Sequence, residues 1–135
     1  MTVVDMAHLQ QIAEVEFAAI VTEAYVPDLN ELRIILNDGS FIDVWFSLKL
    51  AGRYSYHWER RAIDGTIYRH DNAPHQRWQS VSTFPDHFHD GNETNVVESN
   101  LNAHPDIALR QFLSFAQAYL SDPSGSSGTQ GVDRP

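Results

Sequence analysis

Residues 41–70, FIDVWFSLKL AGRYSYHWER RAIDGTIYRH, decide the fold, because they contain three strand-like runs separated by short turns. The first run alternates apolar and polar residues over 41–50, the two-residue period of a β-strand with one buried face. The second run, over 53–61, places three aromatic residues on one face and His57 among polar residues on the other. Asp64-Gly65 is a strong hairpin signal that leads into the third run. The stretch therefore predicts consecutive antiparallel strands.

Two further strand signals flank this stretch. The short apolar run Leu32–Leu36 precedes it and is joined to it by NDGS, a sequence typical of a tight turn. After a long segment without periodicity, residues 95–99 are predicted to return as a fifth strand. Together these runs predict an antiparallel meander of four to five strands.

Amphipathic helices are predicted at both ends of the chain. Over residues 7–24 apolar side chains recur with the helical period, and Pro27 opposes continuation because it biases the preceding residue away from helical geometry. A second helix is predicted to begin near Pro105, since proline is favoured at the first helical position. An apolar sheet face needs a covering layer, so we expect an α+β fold with both helices on one face.

Length and composition fit one domain. The chain has 135 residues, of which 42% are hydrophobic, and a packed domain is expected over 1–121. The Gly-, Ser- and Pro-rich residues 122–135 are predicted to form a disordered polar tail. The absence of cysteine excludes disulfides and thiolate metal sites. No apolar run is long enough to span a bilayer and the N-terminus lacks signal-peptide features, so we expect a protein of the bacterial cytoplasm without a membrane partner.

The charge distribution bears on possible nucleic-acid partners. The net charge of −9 opposes an extended phosphate-binding surface, which needs clustered Lys and Arg. However, five of the nine basic residues are arginines between positions 52 and 78, where only three acidic residues occur. This local excess of positive charge fits either contact with phosphate or a sheet surface that keeps the protein soluble.

Histidines supply the main chemical signal. Five of the seven lie between positions 57 and 89, and histidine can both take and give a proton near neutral pH. His57 lies on the polar face of a predicted central strand, which suits a general base, although a half-exposed strand histidine fits the pattern equally. The run RHDNAPH adds Arg69, Asp71 and His75 at a strand end, where turn formation alone can also explain the polar residues.

The segment PDHFHD offers a second kind of chemistry. On an extended backbone the rings of His87 and His89 point to the same side, as in many metal sites. Asp86 or Asp90 can provide an oxygen ligand, and His57 or His75 can complete such a site as a further protein ligand. The pattern leaves three roles open for the pair: a divalent metal site, proton transfer without a metal, or structural hydrogen bonding.

The motifs LRIILNDGSF, YSYHWE, YRHDNAPH and TFPDHFH together resemble the TumE family of bacterial toxin–antitoxin toxins, over roughly residues 30–100. The resemblance implies a growth-inhibiting toxin encoded beside a DNA-binding antitoxin, its cognate partner. The family's recurrent polar positions match these residues here: His57, Arg69, Asp71, Asn72, Pro74, His75, His87 and His89. The chain departs from the family pattern where Trp45 or Phe46 replaces an acidic residue and where Asp86 replaces a histidine.

Three functions therefore remain as hypotheses. The first is a toxin that acts on RNA as a ribonuclease, with His57 and His75 or His87 as proton-transfer groups and Arg69 stabilising the phosphorane. The second is a metal-dependent hydrolase or nucleotidyl-transfer enzyme that uses His87 and His89. The third is a protein-binding module without enzymatic activity, which the acidic composition favours.

Overall fold

The computed structural model describes residues 3–122, so most of the predicted polar tail lies outside the described residues. The elements, in chain order, are as follows: α1 (Met6–Glu16), β1 (Val21–Asp28), β2 (Glu31–Leu36), β3 (Phe41–Phe46), β4 (Tyr54–Arg60), α2 (Arg61–Asp64), β5 (Thr66–Asp71), a 3₁₀ turn (Gln76–Trp78), β6 (His87–Gly91), β7 (Val96–Glu98) and α3 (Pro105–Ser121). The predicted α+β class is confirmed, as is the C-terminal helix beginning at Pro105.

The sheet is an antiparallel meander whose strands follow one another in chain order, as predicted, but it has seven strands rather than four to five. One extra strand is β1, whose first four residues were predicted as the end of a helix over 7–24; the helix observed there ends at Glu16. The β-branched and aromatic residues of this segment, such as Val21 and Tyr25, suit a strand, and β1 pairs with β2 as a hairpin. Ala24 is buried there too, so its apolar character fitted either structure.

The other extra strand is β6, which lies in the segment predicted as a long loop. It pairs with β5 and β7, so the predicted fifth strand, Val96–Glu98, is the seventh strand of the sheet. The β3 strand is shorter than the predicted run over 41–50, because it ends at Phe46. Beyond it, the Ser47 hydroxyl accepts hydrogen bonds from the Lys49 and Leu50 amides, which turns the chain.

The helices and the sheet share one hydrophobic core. Buried side chains of α1 and α3 pack with the inward residues of β2, β3 and β4, so both helices cover the same sheet face, as expected. On β4, Tyr56 and Trp58 face this core, and Phe112 and Phe115 of α3 contact their rings edge-on. The opposite face of β4, β5 and β6 is therefore left for polar side chains.

Candidate functional site

The cross-strand register gathers the polar residues on the sheet face opposite the helices. One row runs across four strands as Trp45, Ser55, Asp71 and His87. The neighbouring row contains Asp43, His57, Arg69 and His89. Because residues paired on adjacent strands share a face, six of these side chains form one polar surface over β4, β5 and β6.

The loop between β5 and β6 folds over this surface and leaves a cavity of about 480 Å³, which we call the cleft. Its lining residues are Trp45, Arg53, Tyr54, Ser55, Arg69, Asp71, Ala73, His75, Arg77, Trp78, His89 and Glu93. Asn72 anchors the start of the loop, since its side chain accepts from the Tyr54 amide and donates to the Gly52 carbonyl. Asp86 anchors its end by accepting from the Tyr54 hydroxyl.

Asp71 is the central carboxylate of the cleft. One of its oxygens accepts from Arg69 Nε at 2.9 Å and the other from the Ala73 amide at 3.0 Å. Burial alone raises the pKa of Asp71, but the contacts of its carboxylate with His89, Arg69 and Ala73 outweigh burial, so the pKa of Asp71 lies well below the ordinary value. Asp71 is therefore ionised near neutral pH.

Two imidazoles face this carboxylate through the same ring nitrogen. His87 Nε2 lies 3.2 Å from Asp71 Oδ1, and His89 Nε2 lies 3.5 Å from Asp71 Oδ2. The other nitrogen of each ring donates to a backbone carbonyl, from His87 Nδ1 to Pro85 at 2.8 Å and from His89 Nδ1 to Glu93 at 3.0 Å. These carbonyl contacts fix both ring orientations, because a carbonyl oxygen can only accept.

His87 and His89 differ in their access to the cleft. The His87 side chain is fully buried, and its Nε2 makes no hydrogen bond with any described residue. His89 is almost as buried but lines the cleft, and the Trp78 ring packs near both imidazoles. His89 can therefore contact a bound molecule, whereas His87 lies behind it.

His57 is hydrogen-bonded at both ring nitrogens. Its Nδ1 lies 3.2 Å from a terminal nitrogen of Arg69, which can only donate, so Nδ1 accepts and Nε2 donates to Glu59 at 3.0 Å. Burial is the main cause that lowers the pKa of His57, and the ring is neutral near pH 7. His57 is not among the residues that line the cleft, and its contacts hold the guanidinium of Arg69 in place.

The remaining predicted histidines lie in contrasting places. His75 is exposed at the start of the 3₁₀ turn and lines the cleft. His70 lies on the helix face of β5, where it stacks on Phe88 and hydrogen-bonds Ser99. Burial there lowers the pKa of His70 to about 4. Of the five clustered histidines, His70 is thus separated from the cleft by the sheet.

Several cleft residues were not among the predicted site residues. Trp45, Ser55 and Trp78 line it, and Glu93 pairs with Arg69 and lines it as well. Asp86 and Asp90, the predicted oxygen ligands beside the H-x-H pair, do not join the two imidazoles; the carboxylate that does is Asp71. Sequence spacing carries no signal for this contact, because it depends on the β5–β6 register.

Comparisons with known proteins give a match to a protein family. A family model described as Toxin TumE matches residues 9–120. Searches among curated proteins and among solved structures found no match. Within residues 3–122, none of the helices has the length and apolar character that crossing a bilayer requires. Because the family match covers most of the chain, the protein belongs to the TumE family of toxins.

Proposed function

We propose that this toxin acts on RNA, which it cuts within the cleft by histidine-mediated proton transfer. The observation that carries the proposal is that Arg53, Arg69 and Arg77 line the same cavity as the ionised Asp71 and the imidazole of His89. A phosphodiester needs positive charge at its oxygens and proton carriers at its reacting atoms. The acidic composition disfavours a broad nucleic-acid surface, so the arginine-lined cleft is the local exception.

The reaction assigned to the cleft is attack by a ribose 2′-oxygen on the adjacent phosphorus. A base takes the 2′-hydroxyl proton, the P–O5′ bond breaks, and an acid protonates the leaving 5′-oxygen, which gives a cyclic phosphate and a 5′-hydroxyl end. His75 and His89 are the imidazoles that line the cleft and serve these two roles. The guanidinium groups stabilise the charge on the phosphorane.

The other predicted site residues act through these groups. Asp71 faces His89 and holds Arg69, while His57 fixes Arg69 from the opposite side. His87 is buried, and its Nε2 atom lies 3.2 Å from Asp71 Oδ1. We assign positioning roles to His57 and His87 because neither lines the cleft. The cognate antitoxin, a DNA-binding regulator, is the expected protein partner of a toxin in such a pair.

The proposal is tested with inducible expression in bacteria and with purified protein on single-stranded RNA. We expect His75→Ala and His89→Ala each to lower the cleavage rate about 10²- to 10⁴-fold and to relieve growth inhibition. His8→Ala is the matched control, since His8 is exposed on α1, on the other side of the sheet. Circular dichroism confirms that each variant is folded.

Two results would contradict the proposal. If folded His75→Ala and His89→Ala proteins inhibit growth like the wild type, these histidines do not carry the reaction. If the wild type inhibits growth while cellular RNA stays intact and a stable protein complex is recovered, the chain acts as a protein-binding module instead.

A further inference from the structure

We infer that Asp71, His87 and His89 form a binding site for one divalent transition-metal ion of the zinc type. Their ligand atoms lie within 4.8 Å of one another, and all three residues are buried. The inference concerns the resting protein and does not depend on whether the chain cuts RNA.

One atom that can bind a metal is brought to the same place by each of the three residues. The Nδ1–H group of each imidazole is committed to a backbone carbonyl, so the neutral form of each ring has the lone pair of Nε2 on the side of the Asp71 carboxylate. His87 Nε2 is buried without any hydrogen bond among the described residues. A buried acceptor without a partner is costly, and a cation at the point of convergence removes that cost.

The spacing of these atoms is close to that of a metal site. In a tetrahedral site with metal–ligand distances of about 2.0–2.1 Å, neighbouring ligand atoms lie roughly 3.3–3.4 Å apart. His87 Nε2 lies 3.2 Å from Asp71 Oδ1, and His89 Nε2 lies 3.5 Å from the other carboxylate oxygen, Asp71 Oδ2. One ligand atom from each of the three residues lies within 4.8 Å of the other two, so the side chains have to move closer together to hold a single ion.

Hydrogen bonds from surrounding groups hold the three ligand side chains in place. Metal-binding histidines characteristically donate their second ring nitrogen to a carbonyl or carboxylate, which both imidazoles do here. The carboxylate is held in turn by Arg69 and by the Ala73 amide. These contacts fix the three ligands before an ion binds.

The donor set also selects the ion. Two imidazole nitrogens and one carboxylate suit zinc and its neighbours in the first transition series, whereas Mg²⁺ prefers oxygen ligands alone. Because Asp71 and His89 line the cleft, the fourth coordination position opens towards it, as in catalytic rather than structural zinc sites. With an ion bound there, His89 would no longer carry a proton, so the metal site would replace the role that the proposed function gives to His89 and would leave His75 as the cleft imidazole available for proton transfer.

The alternative is that no ion binds and that one imidazole carries a proton, which it shares with Asp71.

The test uses untagged, chelator-stripped full-length protein in the absence of RNA, titrated with Zn²⁺ by calorimetry. Co²⁺ serves as a probe whose visible absorption reports tetrahedral coordination by nitrogen and oxygen. We expect one Zn²⁺ per chain, competition by Co²⁺, a rise in melting temperature with Zn²⁺, and no comparable effect of Mg²⁺.

Three ligand variants and one control locate the ion. His89→Gln, His87→Gln and Asp71→Asn should each weaken Zn²⁺ binding by about 100-fold or more, since even outer residues of metal sites contribute 10- to 100-fold. The control, His8→Gln, removes an exposed histidine that contacts Asp106 at 2.9 Å and should bind like the wild type. If a ligand variant does not fold, the Co²⁺ spectrum of the wild type still decides whether the coordination is tetrahedral.

The inference is overturned if the wild type binds neither ion stoichiometrically, or if all folded ligand variants bind as tightly as the wild type. Neither result touches the proposed function, which is measured separately as RNA cleavage with and without chelator. Conversely, if the protein binds Zn²⁺ at these ligands but leaves RNA intact, the metal site is supported and the proposed RNA cleavage is wrong.

Discussion

The two faces of the central strands use the same backbone for different purposes. On β4, Trp58 is fully buried against α3, while its neighbour His57 faces the cleft side and contacts Arg69. On β5, Tyr68 packs against Trp58 while Asp71 lies on the cleft side. Residues that stabilise the fold therefore alternate along each strand with residues that can take part in chemistry. Substitutions on the helix face should mainly lower stability, and substitutions on the cleft face should mainly lower activity.

The largest expected effect is a difference in stability between substitutions of two tryptophans that lie on adjacent strands and on opposite faces of the sheet. Trp58→Ala should lower the free energy of unfolding by about 3–5 kcal/mol, because it leaves a large cavity in the core. Trp45→Ala, on the cleft side, where the side chain is 37% exposed, should cost less than about 1 kcal/mol. Urea unfolding followed by circular dichroism measures both.

Trp58→Phe provides a milder core variant in case the alanine protein does not accumulate. Equal losses of stability in Trp58→Ala and Trp45→Ala would mean that the core does not lie on the helix face alone.

The apolar face was the more predictable of the two. Its strands β2 to β5 follow clear alternation of apolar residues, and the C-terminal helix begins at Pro105 as its sequence predicts. The failure at β1 has a physical cause, since the apolar residues Ile20 and Ala24 are buried in the observed structure and also fit the helical period. The segment forms strand β1 because it pairs with β2, a tertiary contact that the apolar pattern does not reveal.

The cleft face was predictable in residue type but not in arrangement. All six predicted site residues lie on or beside it, yet β6 was hidden because its buried positions on that side are histidines rather than apolar residues. Without β6 there is no register to place His87 opposite Asp71. The expected ligands, Asp86 and Asp90, are close in sequence, whereas the carboxylate that meets the imidazoles is on a neighbouring strand.

A second, smaller effect is expected where charge is buried on the helix face. Arg60 is 5% exposed, stacks on Trp58 and Tyr119, and is paired with Asp38 and Asp64. Asp38→Asn should lower the free energy of unfolding by about 2 kcal/mol at pH 7, because it removes a charged partner from a buried guanidinium. The cleft arginines have no such core role.

This loss should depend on pH. Burial alone raises the pKa of Asp38, but hydrogen bonds from Ser40 and Arg60 outweigh burial and hold the pKa below its usual 3.8. A carboxylate with a lowered pKa stabilises the fold above the unfolded-state value and loses that contribution as the pH falls further. The difference between wild type and Asp38→Asn should therefore shrink below about pH 4. Asp28→Asn, an exposed carboxylate on β1, is the control, and a difference that stays constant to pH 3 would contradict the assignment.

The smallest effect is expected at an arginine that the fold does not use. Arg77 is exposed, lines the cleft, and stacks on Trp78 at 4.5 Å from the ring centroid rather than on a core residue. Arg77→Ala should leave the free energy of unfolding within about 0.5 kcal/mol of the wild type. The affinity of the Arg77→Ala protein for a non-cleavable single-stranded RNA should fall only a few-fold. The slope of log affinity against log salt concentration should decrease in magnitude by about 0.7, the value for one phosphate contact on a single strand.

Arg110→Ala supplies the matched comparison for Arg77, because Arg110 is also exposed but lies on α3 and pairs with Glu16. If RNA binds in the cleft, the salt slope changes for Arg77→Ala and stays constant for Arg110→Ala, since only a cation that contacts phosphate releases a counterion. Equal slopes in both variants would mean that the RNA does not contact Arg77. RNA binding would then not involve this arginine. The two faces of the sheet would in that case differ only in their contribution to stability.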